Sequence, residues 1–336
     1  MPPQTNNSPK RHSISWSTLG IIAGWLVLMG VLYWNRVAIT DWFRLRNYHP
    51  PASIARLADQ DTFKPYTRHL FYLNRPKLLN SVDSFRQHCP ESPDTIVLGC
   101  YHPDQNGIYI YNVQDATLAG VQQVTAAHEV LHSIYARLSG SERKQLNKEL
   151  QDFYKHGLTD PRVKAEVKLY QATEPGSVMD EMSCTFGTEV ADLPPALEAY
   201  YAKYFSNRSA IVAFEMQYES EFTGRMAAIN DDDKRLNAMK TQINNEETSL
   251  ATQLAQITAQ RNRLNSLLSS GDAADYNNGV DSFNALVSSY NSGLSQLQQD
   301  IRTYNQLVQA RNQLAGQLTT LDKALDTRLT TQTSSR

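Results

Sequence analysis

His128, Glu129 and His132 stand together in the run AAHEVLHSIY, where their types and spacing suit zinc-assisted hydrolysis. On a helix, positions i and i+4 lie on one face, so both imidazoles can approach one tetrahedral ion. Glu129 is one step round the helix from His128. There it can reach a water acidified by the metal without being a ligand, and take its proton during attack on a peptide carbonyl. A helix that merely presents two histidines is the plainer alternative.

Catalytic zinc normally keeps three protein ligands and an open position, so one more group must come from elsewhere. The pattern HExxHxxGxxH would need glycine at 135 and histidine at 138, where this chain has Tyr135 and Leu138. His156 sits beside Gly157 at the expected fraying end of a helix. The acidic residues of VMDEMSCTFGTEV fit better. Glu181, near the start of a helix and on a face with Cys184 and Thr185, is the preferred third ligand, and Glu189, expected just beyond that helix, is the alternative. Tyr200, Tyr201 and Tyr204 are candidates to stabilise an oxyanion, although three tyrosines in LEAYYAKYF are first of all packing groups.

The elements that must hold these residues are legible in part. Val124, Ala127, Val130, Leu131, Ile134 and Leu138 recur at helical steps and predict a helix over 121–138. Gly140 is read as its stop and Ser141 as the start of a second helix to about 154; Asp160 and Pro161 open a third. Short helices are expected over 178–186 and 195–205, and strands over 95–98 and 107–113 (GIYIYNV). Between 38 and 90, four prolines suggest helices broken by turns.

Beyond about residue 224 the composition shifts to Gln, Asn, Thr, Ala and Leu. Leu236, Ile243, Leu250, Ile257 and Leu264 fall at seven-residue intervals, with Glu246, Gln253 and Gln260 interrupting the complementary row and Leu254 and Leu268 displaced by one. Phe283, Tyr290, Leu297, Tyr304, Leu318 and Leu325 form a second series, with Arg311 as the exception. One narrow apolar seam needs a partner. With a loop expected over 269–279, that partner is the other arm of an antiparallel helical hairpin.

A net charge of -2 and 20% charged residues give no reason to expect nucleic acid as a partner. No charged side chain occurs between Arg11 and Arg36, and LGIIAGWLVLMGVLYW within that gap predicts a membrane anchor over 16–37, with aromatic residues near its ends. A cleavable signal is the competing reading, weakened by the bulky exit YWNRVAITDWFRLR. Arg36, Arg44 and Arg46 after the span outnumber Lys10 and Arg11 before it, which favours a cytoplasmic domain; the short head and free amino terminus favour export, and an extracytoplasmic domain is the reading adopted. Cys89 and Cys100 can pair across CPESPDTIVLGC or stand as two reduced thiols, with Cys184 a core thiol.

HEVLH with a downstream helix carrying Glu181 resembles the zincin superfamily, in particular its glutamate-liganded gluzincin branch. VTAAHEVLHSIYARL, EMSCTFGTEV and LPPALEAYYAKYF also resemble uncharacterised bacterial membrane-anchored HExxH proteins. The resemblance covers roughly residues 80–206. It implies His128, His132 and Glu181 as zinc ligands, Glu129 as general base, and GIYIYNV as the edge strand that aligns substrate. The chain departs from the thermolysin-like pattern in the longer step of 49 positions from His132 to Glu181, and in reading DEMSC where those enzymes have NExxxD. The resulting expectation is an α+β, mostly helical chain with a disordered tail (1–15), an anchor (16–37), a zincin-like domain (45–222) and a coiled-coil hairpin (228–330). Its expected function is a membrane-anchored zinc metallopeptidase acting on protein or peptide. A cell-envelope scaffold binding a protein partner along residues 228–326 is the alternative.

Overall fold

The structure, a computed structural model, describes residues 16–89, 96–104 and 107–328, with side chains from residue 20 onward. The expected tail and the last residues of the expected hairpin lie outside these. The chain is mostly helical with one small sheet. Helix α1 (Trp16–Trp34) and helix α2 (Arg36–Leu45) meet at Asn35 with a bend of 61°. Among the described residues no single helix is long and apolar enough to cross a membrane; α1 and α2 meet that requirement only as a bent pair.

The globular part runs α3 (Ala52–Gln60), α4 (Pro65–Leu73), β1 (Lys77–Leu79), α5 (Val82–His88), β2 (Gly99–His102), β3 (Gly107–Tyr111), α6 (Val121–Ala136), α7 (Gly140–His156), α8 (Pro161–Thr173), α9 (Val178–Glu189) and α10 (Pro195–Tyr201). The sheet order is β1-β3-β2, with β1 parallel and β2 antiparallel to β3. GIYIY is therefore the central strand, hydrogen-bonded on both sides, and β2 is the edge. This corrects the expectation that residues 107–113 form the free edge above the HEVLH helix.

The strand expected over 95–98 begins outside the described residues, and its remainder is not strand. Thr327 explains why. Its hydroxyl donates to Val97 O at 2.6 Å and accepts from Val97 N at 3.2 Å, occupying the backbone groups a neighbouring strand would use. Pairing starts at Gly99 instead. Cys100 of β2 is joined to Cys89, the residue that ends α5, by a disulfide, while Cys184 is a buried free thiol.

Helix α6 is sheathed by other elements: Ala126, Ala127, Val130, Leu131 and Ile134 are all buried in the main core. It ends at Ala136, and Gly140 opens α7 where it was expected to be a stop. Ser139 is the reason: its hydroxyl accepts from Glu142 N while Glu142 Oε2 accepts from Ser139 N at 2.9 Å, a reciprocal cap that satisfies two amides. Helix α9 extends past Phe186 to Glu189, and α10 stops at Tyr201.

Helix α11 (Arg208–Ser270) leaves the globular core and continues without a break across residues 222–228 into the first arm of the hairpin; α12 (Ala273–Leu325) returns beside it. The expected loop of eleven residues shrinks to Gly271 and Asp272, because the Asp272 carboxylate accepts from Asp275 N and starts α12 at once. Leu250, Leu264, Leu297 and Leu321 are buried in the arms, whereas Leu254 and Leu268 are 49% and 64% exposed and lie off the seam. Arg311, the exception in its row, pairs with Asp233 on the opposite arm at 3.0 and 3.3 Å. The end of the return arm packs Leu321 on Val113, Leu118 and Val121, and Arg86 donates to Thr327 O at 2.6 Å. Both ends of the hairpin are thus fastened to the globular part.

Asp61 is fully buried at the end of α3 with neither carboxylate oxygen hydrogen-bonded, and burial holds its pKa well above the usual carboxylate range. A raised folded pKa contributes stability that is complete below the unfolded value near 3.8 and is lost as pH rises through the folded value. The variant Asp61→Asn is therefore expected to match the parent near pH 4 and to exceed it increasingly toward pH 8, by about 2–4 °C in Tm if the gain is ~1 kcal/mol. Thermal scans across pH check this; parallel curves would mean that Asp61 does not titrate on unfolding.

Candidate metal centre

The histidines project from a rigid support. His128 and His132 lie one turn apart on α6, their ring centroids 5.0 Å apart, with side chains only 16% and 13% exposed. Glu181, in the first turn of α9, reaches both: its Oε2 is 3.5 Å from His128 Nε2 and its Oε1 is 3.7 Å from His132 Nε2. A tetrahedral zinc with ligand bonds near 2.0–2.2 Å separates its ligand atoms by about 3.3–3.5 Å. Each nitrogen thus stands at close to that spacing from a Glu181 oxygen, a different oxygen for each ring, and the donor set of two imidazoles and a carboxylate is one that zinc takes. His132 Nδ1 lies 2.9 Å from Asp180 Oδ1, which fixes the ring and leaves Nε2 free toward Glu181.

Electrostatics agree with a cation in this space. Burial disfavours a charged His128, yet hydrogen bonding to Glu181 and the nearby charges of Glu129 and Glu181 carry its pKa upward. His132 rises further: burial again opposes the charge, and Cys184, Asp180 and Glu181 outweigh it. Burial would raise Glu181, but the two histidines hold it below its ordinary value. The neighbouring carboxylates thus favour protons on the two rings. Zinc binding would displace those protons.

Glu129 is 5% exposed and lies against β2. A Cβ on Gly99 would fall 2.6 Å from Glu129 Oε1 and 2.8 Å from its Cγ. Only glycine lets the edge strand lie this close to the carboxylate. The resulting cleft, of about 390 Å³, is lined by Leu98 to Tyr101 on one side and by His128, Glu129, His132 and Glu181 beneath. Among the described residues the outer edge of β2 has no partner strand, and it runs beside the two histidines.

Glu189 does not join them. It sits in the last turn of α9 and pairs with Arg162 of α8 at 2.7 Å, within a cluster where Arg162 also meets Glu215 at 2.8 Å. Glu189 borders the cleft, but its carboxylate is committed to a guanidinium. His156 is exposed at the end of α7 and bonds Asp152. Tyr200, Tyr201 and Tyr204 are absent from the cleft: Tyr201 is fully buried and donates to Ser183 O at 2.7 Å, and the other two meet edge to face with ring centroids 5.2 Å apart. Their role is packing. The tyrosines that do line the cleft are Tyr101, Tyr170 and Tyr218, with Tyr170 hydrogen-bonded to Glu181.

Cys184 is the residue whose position the sequence hid. Its sulfur and one nitrogen from each of His128 and His132 all lie within 4.8 Å of one another. It approaches Asp180 Oδ1 at 3.9 Å, the same oxygen that meets His132 Nδ1, and so lies on that side of the ring. Burial raises its pKa far above the ordinary thiol range, and a thiol must ionise to bind zinc. Glu181, whose pKa is held down by the two histidines, faces both Nε2 atoms. The helical spacing puts Cys184 on the face of Glu181, but its approach to both histidines comes from the packing of α9 on α6.

No family model, curated protein or solved structure matches the chain.

Proposed function

We propose that the chain is a zinc-dependent metallopeptidase tethered to a membrane through α1. The observation that carries this reading is the convergence of His128, His132 and Glu181, with Glu129 packed beside them under an unpaired strand edge.

The two histidines and Glu181 would hold the ion, and Asp180 would keep His132 in the tautomer that presents Nε2. A bound zinc would acidify a water molecule and polarise a substrate carbonyl. Glu129 would be the group beside them that accepts and returns a proton; its burial under Gly99 keeps the carboxylate in one place. The substrate backbone adds to β2 as a further strand, so that main-chain hydrogen bonds position the scissile peptide whatever its side chains. The Cys89–Cys100 disulfide fits an oxidising, extracytoplasmic setting.

The variant Glu129→Gln should retain near one zinc per chain while losing about 10²–10⁴-fold in the cleavage rate of an unstructured protein. Gly99→Ala should act in the same direction more weakly, by moving the carboxylate. Both are checked by metal analysis alongside peptide-release kinetics on the full chain. Cleavage at the parent rate by Glu129→Gln would remove the mechanism.

One observation favours a further role for the hairpin as a recruiting arm. Its two roots flank the cleft, Tyr218 of α11 lining it and Thr327 holding Val97 beside β2. A protein partner bound along the arms would be delivered to the strand edge. Photocrosslinkers placed along residues 228–326 should capture a reproducible partner in cells, and capture nowhere along that stretch would reduce the hairpin to a spacer.

A further inference from the structure

Helix α2 has two faces that call for different surroundings. Asp41 and Leu45 point inward. Asp41 receives both guanidinium nitrogens of Arg137 at 2.9 and 3.2 Å, Leu45 packs on the main core, and Arg75 donates to Arg44 O at 3.0 Å. Ile39, Trp42, Phe43 and Arg46 recur at steps of three and four on the opposite face. Trp42 is 59% and Phe43 55% exposed, and the Arg46 guanidinium lies 5.6 Å and 5.1 Å from their ring centroids. Trp42 and Phe43 are left uncovered by the described residues.

We propose that α2 lies in the headgroup layer of an anionic bilayer, with Trp42, Phe43 and Arg46 toward lipid, and thereby holds the HEVLH helix close to the membrane surface. The inference rests on α1 being the membrane anchor, and it adds where the cleft then sits. Continuity with α1 is the first support. The large apolar side chains of α1 are broadly exposed, and the 61° bend at Asn35 turns α2 away from the α1 axis toward the plane of a bilayer that α1 would enter. Chemistry is the second. Large aromatic rings beside arginine suit the interface, where the rings reach the acyl boundary and the guanidinium meets phosphate. Charge is the third: α2 carries Arg36 and Arg44, followed by Arg46, while its single acid is neutralised by Arg137. Anionic headgroups complement that balance.

The inward face argues against the other use of α2, as the second half of the bent pair that together is long and apolar enough to span. Entering the hydrocarbon would require parting Asp41 from Arg137 or dragging that ion pair and α4 into lipid. Arg137 is also the C-cap of α6, its N–H bonded to Ile134 O and Tyr135 O. His132 precedes it by five residues, about 7.5 Å along the helix. On the hydrolytic reading, the substrates within reach are polypeptide segments at the bilayer surface.

The test is fluorescence quenching in vesicles of phosphatidylethanolamine and phosphatidylglycerol that hold the full chain. One variant keeps only Trp42 (Trp16, Trp25 and Trp34→Phe), and another keeps only Trp25 as a reporter of α1. Acyl chains carrying bromine near the headgroup should quench Trp42 about twofold more than chains brominated near the bilayer centre, as expected for a helix ~5–10 Å deep. Trp25 should favour the deep bromines. Trp25 quenched but Trp42 silent to both lipids would overturn the placement of α2 and leave the anchor standing; Trp42 quenched best by deep bromines would overturn it in favour of a broken span. Trp25 unquenched would remove the anchor and the inference together. Should the triple variants misfold, loss of the shallow-quenched signal in the single change Trp42→Phe reads the same depth, and its persistence overturns the proposal.

Discussion

The close packing of α9 on α6 is the contact on which the metal centre depends. It is set by Gly187, where a Cβ would fall 2.6 Å from Leu131 Cδ1 and 2.7 Å from Tyr201 Cε1. Interiors packed to crystal density have no room for that atom. With hydrogen there, α9 settles against the buried face of α6, and Glu181, at the other end of α9, arrives between the two histidines. Tyr201 reinforces the placement through its hydrogen bond to Ser183 O. A larger residue at position 187 would lift the helix and separate the carboxylate from both imidazoles without touching any of them.

The opposite wall of the cleft is held by three unlike restraints on one strand. The disulfide ties Cys100 to the end of α5, Gly99 lets the strand down onto Glu129, and Thr327 occupies the backbone of Val97 just before pairing begins. The last of these comes from the far end of the chain, 230 residues away. The hairpin therefore contributes to the shape of the cleft as well as projecting from it.

How much of this could be read from the residues follows from how local each signal is. HEVLH declares its geometry within one helical turn, and the heptad rows of residues 236–325 declare their partner, because a seven-residue period has no other use. Even the polar interruptions obeyed the pattern: Glu246, Gln253 and Gln260 remain partly covered in the seam, and Arg311 found Asp233. What could not be read depends on pairing between distant segments. Sheet order is such a case, since GIYIYNV looks equally like an edge or a centre until β1 is seen beside it. Glu189 is another: it shares a short helix with Glu181, and only the position of Arg162 shows that its carboxylate is already taken. Cys184 was legible as a core thiol but not as a neighbour of both histidines, because that proximity is a property of two packed helices.

The central claim is that zinc is held by two imidazoles and the Glu181 carboxylate, with Cys184 outside the coordination shell. X-ray absorption at the zinc edge on the full metallated chain measures this directly. The expected spectrum has only nitrogen and oxygen neighbours near 2.0–2.2 Å, with the outer-shell scattering of two imidazole rings, and loses one oxygen scatterer in Glu181→Ala. A sulfur neighbour near 2.3 Å, or a chain that takes up no zinc, would contradict it.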